Sequence, residues 1–137
     1  FSPGRQLKPG PYLGAAADIL SKNVEYQLAL GDHAAGSEAL FGMGSFFLRL
    51  GRHEEAQVAF QRAVLHAIRS ARFDVAALAH LSLAVIARQD GNVDGFRDEI
   101  RRAKVMAEIS DDASVMEAIQ TVLSPPEPEP EDPTQLL

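Results

Sequence analysis

The 137-residue chain contains no cysteine and no tryptophan, and its eight prolines all lie near its ends. Lack of cysteine excludes disulfides, thiolate catalysis and cysteine-ligated zinc or iron–sulfur centres. Proline stops at Pro11 and resumes at Pro125, so the long middle is free of the residue that breaks helices. Positive charge is never concentrated. The net charge is −6, much of it from Glu127, Glu129, Glu131 and Asp132 near the C-terminus. The rest is close to neutral and has no basic face, which excludes the electrostatic footprint of a nucleic-acid binder. Long apolar runs are missing too. Val75 to Ala87 is the longest nearly uncharged stretch, short of the roughly 20 residues a membrane span needs. Without such a span or a signal-peptide pattern, a cytoplasmic location with no membrane partner is expected. The chain opens on Phe1 instead of methionine, as a piece of a larger protein would.

What remains is the composition of one globular domain, 46% hydrophobic and 23% charged. Residues 1–12 carry Pro3, Gly4, Pro9, Gly10 and Pro11 and read as an irregular lead-in. Residues 124–137, rich in proline and acid, read as an extended, disordered tail. The stretch 13–123 is rich in Ala, Leu, Arg, Glu and Gln, which lose little on entering a helix, so the fold class is all-α. Cap-type residues near Gly31, Gly51, Ser70, Asp90 and Ser110 punctuate it into six helices near 13–30, 34–50, 53–70, 73–89, 93–109 and 111–123. Links this short force consecutive helices to pack as antiparallel neighbours.

A shift of 40 residues sets the chain against itself. It pairs Ala39 with Ala79, Gly51 with Gly91, Phe60 with Ile100, Arg62 with Arg102, Ala63 with Ala103 and Ala67 with Ala107. The glycines land on the expected turns, so the match marks a repeat and an α-solenoid rather than a closed bundle. Leu40, Met43, Gly44, Phe47, Gly51, Ala56, Phe60 and Ala63 then follow the tetratricopeptide pattern with its intervals intact. The chain resembles that family, in its longer-repeat form found in bacterial regulators and in kinesin-light-chain and Pins-type adaptors. In the second unit Leu83, Ala84, Gly91, Ile100 and Ala103 fit, while His80, Ala87 and Phe96 depart from the pattern.

The resemblance implies a right-handed superhelix and a protein–protein interaction scaffold, with the first helix of each unit lining a concave groove. Carried over, that groove shows Glu38, Phe41, Ser45, Leu48 and Arg49, then Leu78, Leu81, Val85, Arg88 and Gln89. The set is greasy, with arginines at one rim, and suits an amphipathic helix or apolar peptide whose carboxylate meets Arg49 or Arg88. A sensing domain of a larger bacterial regulator and an oligomerisation module are the alternatives. The last helix, with Val115, Met116, Ile119 and Leu123, is half of an unfinished unit and offers an open face for a homodimer.

Catalytic signatures are not found. No nucleophile sits beside a base, no glycine-rich phosphate loop appears, and an enzyme or a cofactor is not expected. His33, His53, His66 and His80 lack the three- or four-residue spacing of a helical metal site, and His33 and His53 read as turn residues. Arg97, Arg101, Arg102 and Lys104 alternate with Asp94, Asp98 and Glu99, a self-compensated solvated face. Asp111 and Asp112 read as helix caps.

Overall fold

The structure is a computed structural model that describes residues 11–125, all-helical with short links. The lead-in through Gly10 and the acidic tail from Pro126 onward lie outside those residues. Six helices follow one another: α1 (Pro11–Ala29), α2 (His33–Arg49), α3 (His53–Arg69), α4 (Phe73–Gln89), α5 (Val93–Ser110) and α6 (Ala113–Leu123). The first begins earlier than proline content suggested, because Pro11 supplies the fixed φ and missing N–H that suit the first helical position.

Every link turns on one residue of positive φ. Gly31, Gly51, Ala71, Gly91 and Asp111 all have positive φ, at 76°, 73°, 57°, 75° and 52°. They recur every 20 residues, half the period visible in the sequence, because a helix and its link form the smallest unit. At the second link the Arg52 N–H reaches the Phe47 carbonyl at 2.9 Å and the Gly51 N–H reaches that of Leu48 at 3.0 Å. The same two bonds recur at the links around residues 31, 71 and 91. This left-handed closure satisfies the last carbonyls of one helix and turns the chain back at once. The following residue then caps the next helix: Asp32, Asn92 and Asp112 accept from the N–H groups of Ala35, Gly95 and Ser114. Arg52 and Arg72 hold the equivalent places without a side-chain cap. Arg52 forks onto Glu55 at 2.5 and 2.7 Å, and Arg72 onto Asp74 at 3.1 and 3.2 Å.

Among the described residues each helix packs on its sequence neighbours, and the only further contacts join α2 to α4 and α4 to α6. The even-numbered helices therefore form one layer and the odd-numbered ones a second, whose members do not touch. That is an open array, since no contact returns from its end to its beginning.

Packing follows the small–large alternation of the sequence. Gly44 of α2 is buried against the Phe60 ring of α3, and Phe60 itself is fully buried and meets Phe41 edge-on at 5.5 Å. Around it gather Val24, Leu40, Phe47, Ala56, Ala63, Leu83 and Ile86. A second cluster joins Ala77, Leu81 and Ala84 of α4 to Ile100 and Ala103 of α5 and to Val115 and Ile119 of α6. Because α4 contributes to both clusters, most of its circumference is apolar and buried, and Leu78, Ser82, Val85 and Gln89 mark its more open line. Among the described residues no helix is long and apolar enough to cross a membrane.

Candidate functional site

The even-numbered layer carries the surface the repeat pattern points to. Its helices run in the same direction: Arg72, just before α4, reaches Glu38 near the start of α2 at 2.5 Å. Arg88, in the last turn of α4, reaches the carbonyl of Val122 near the end of α6 at 3.0 Å. Start meets start and end meets end. On α2 the least buried line is Glu38, Gly42, Ser45 and Arg49, and on α4 it is Leu78, Ser82, Val85 and Gln89. The two lines are related residue by residue by the shift of 40, so they lie in register on adjacent parallel helices.

Six of the expected groove residues, Glu38, Ser45, Arg49, Leu78, Val85 and Gln89, fall on these lines, Leu78 with one side against the second core cluster. Arg49 is exposed, with no ion-pair partner among the described residues. The other four lie off these lines, and of them Leu81 is buried. Phe41 and Leu48 are half-buried and pack against the first core cluster. Leu81 is only 7% exposed and lies in the second cluster with Val115 and Ile119 of α6. Arg88 is exposed but occupied, since it bonds Val122 and lies 5.3 Å over the Phe96 ring. The expectation of an open wall is thus corrected at Leu81. Spacings of three and four residues fit both the 78–81–85–88 and the 78–82–85–89 lines, and α6 covers the first. The surface left open is mixed, with Leu78 and Val85 among Gly42, Ser45 and Ser82.

A second correction concerns α6. Val115 and Ile119 are 2% and 0% exposed, and of the residues expected to form an open dimer face only Leu123 is substantially exposed, at 38%. The exposed large apolar residues concentrate instead on the odd-numbered helices: Tyr12, Ile19 and Tyr26 on α1, Val58 and Leu65 on α3, Val105 and Ile109 on α5. Over α2 a cleft of about 400 Å³ opens beside α3, floored by Met43, Phe47, Val58 and Ala59 and edged by Glu54 and Arg62.

The histidines form the polar ties that sequence reading missed. His33 and His66, 33 residues apart, bring their Nδ1 atoms to 2.9 Å. Their rings are within 10° of parallel and their centroids 5.1 Å apart. That separation is the hydrogen bond plus a ring radius on each side, so the two rings point at one another along the bond. Burial, then the neighbouring His33, Arg62 and Arg69, push the His66 pKa below its ordinary value. His80 bonds Glu99 at 2.7 Å, and Glu99 also accepts from Arg102 at 3.0 Å. His53 meets Asp90 at 2.9 Å. The first two pairs cross a hairpin at similar distances on either side of a turn glycine, and only that register could have revealed them. The hydrogen bonds from Arg72 hold the Asp74 carboxyl below the usual range and raise the guanidinium in return. The expected charge compensation on α5 is present, as Arg101 pairs with Asp98 at 3.5 Å and Arg102 with Glu99. Asp112 caps α6 through Ser114, which lowers its pKa. No group of three or more histidine, aspartate and glutamate side chains among the described residues could hold a metal.

Compared with protein-family models, curated proteins and solved structures, the chain matches none.

Proposed function

We propose that this chain is a protein-interaction scaffold that holds an amphipathic helix or apolar peptide along the even-numbered layer, in the manner of a tetratricopeptide-like array. One observation carries the reading: two half-open lines of side chains, Glu38–Arg49 and Leu78–Gln89, in register on adjacent parallel helices. Leu78 and Val85 offer an apolar floor, while Gly42, Ser45 and Ser82 are small enough for a ligand backbone to approach. Arg49 stands at one end, ready to take a carboxylate in a charge-assisted hydrogen bond. The even-numbered helices touch while the odd-numbered ones do not, so any curvature of the array places this layer on its inner side.

The test is fluorescence anisotropy with a library of labelled amphipathic peptides carrying a free C-terminal carboxylate. Val85→Glu and Arg49→Glu each weaken the selected peptide at least about tenfold, a loss of about 1.4 kcal/mol or more, with unchanged helicity. Leu65→Glu on the odd-numbered layer leaves binding as it was. Peptide binding indifferent to Val85→Glu, or amide shifts confined to α1, α3 and α5, overturns the proposal.

A further inference from the structure

Among the described residues α1 is the helix with a single neighbour. It packs on α2 alone among the described residues, through Leu13, Ala17, Val24 and Leu28. Its other side carries Tyr12, Ile19 and Tyr26, which are 90%, 68% and 62% exposed. These three stand seven residues apart. Ala15, Lys22 and Ala29, also exposed, stand seven apart between them. Together they form a seam of the a and d positions of a heptad, turned to solvent.

We propose that this seam pairs with the same seam of a second copy, antiparallel, about a twofold axis near the middle of α1. The pattern itself names the occupant. Antiparallel pairing of a with d positions sets Tyr12 opposite Ala29 of the second copy, Ala15 opposite Tyr26 and Ile19 opposite Lys22, and each contact occurs twice. Every aromatic ring meets an alanine, so large fills small at each level. The aliphatic stem of Lys22 covers Ile19, and its ammonium comes out beside Asp18 of the other copy. Parallel pairing does the reverse: it stacks tyrosine on tyrosine and alanine on alanine, and sets Lys22 against Lys22. A twofold axis also closes the assembly at two copies. The 19 residues of α1 make a strip only about 28 Å long, narrower than a standard interface, so dissociation falls in the micromolar range. The seam is separate from the Leu78 and Val85 surface, so either proposal can fail without the other.

Sedimentation equilibrium of the full chain from low to high micromolar concentration tests the association. A dimer is expected, and Ile19→Lys raises its dissociation constant at least about tenfold while leaving the melting curve of the monomer in place, because Ile19 is exposed. Val85→Glu leaves dimerisation unchanged. Since the chain has no cysteine of its own, Ala15→Cys and Tyr26→Cys report the orientation. A mixture of the two forms a mixed disulfide on mild oxidation, and neither alone does so efficiently. A strict monomer at high micromolar concentration, a dimer indifferent to Ile19→Lys, or efficient linkage of Ala15→Cys to itself each overturns the proposal.

Discussion

The contact between Gly44 and Phe60 can be weighed by one atom. A Cβ added to Gly44 would lie 2.8, 2.8 and 2.9 Å from three carbons of the Phe60 ring, where carbon atoms prefer about 3.5–4.0 Å. The ring cannot swing away, since Phe60 is fully buried and braced edge-on by Phe41. Gly42, two residues earlier on the same helix, is exposed, and a Cβ there meets nothing within 4 Å. Both substitutions to alanine gain helix propensity of about 1 kcal/mol. Only Gly44→Ala incurs overpacking, which costs about 1–3 kcal/mol. Gly42→Ala should therefore stabilise by about 1 kcal/mol, and Gly44→Ala should fall about 1–3 kcal/mol below it. Forty residues on, the same two places hold Ala84 and Ile100, both buried in the second cluster. Gly44→Ala combined with Phe60→Ile copies that solution, so the pair should be better than the sum of its single costs by about 1 kcal/mol or more. Urea unfolding followed by circular dichroism measures all four quantities, provided the slopes agree. If Gly44→Ala proves as stabilising as Gly42→Ala, or if the two changes simply add, Gly44 is not the point of closest helix approach.

Other expectations follow from single contacts. His66 has a depressed pKa in the fold, so the unfolded chain binds its proton first as pH drops. The stability it supports is present above the ordinary histidine value of about 6.5 and is lost progressively below it. The double change His33→Phe and His66→Met, the residues found forty positions on at Phe73 and Met106, should flatten the melting temperature between pH 7 and 5. An unchanged acid slope refutes that origin. Ala71 takes the left-handed conformation that glycine holds at three of the other links, so Ala71→Gly should stabilise by about 0.5–1 kcal/mol; a loss in thermal melts contradicts it. Glu99→Ala leaves a half-buried His80 without its acceptor and should cost about 1–3 kcal/mol; chemical denaturation decides.

Much of this fold could be read from residue order because its signals are local. A proline-free middle, turn glycines and the Gly44–Phe60 alternation specify helices, links and the small–large fit. The smaller period escaped notice because Ala71 and Asp111 sit where a glycine was the expected sign. The open surface was only partly legible. Ser82 and Leu81 are about 100° apart around the helix, and which of them faces solvent depends on where α6 packs, a tertiary fact. For the same reason Val115 and Ile119 look available in sequence and are buried in the fold, while the seam on α1 looks like an ordinary amphipathic helix until its second side is found uncovered.

Left-handed links spaced 20 residues apart give the molecule a parity. Excising residues 32–71 would join Gly31 to Arg72, and α4 would follow α1 in the layer α2 had left, every later helix keeping its side. Excising residues 32–51 alone would hand the place of α2 to α3 and move every later helix to the opposite layer, away from the neighbours its side chains now fit. Growth and loss in such a chain are tolerated in pairs of helices, so relatives of different length should differ by multiples of two.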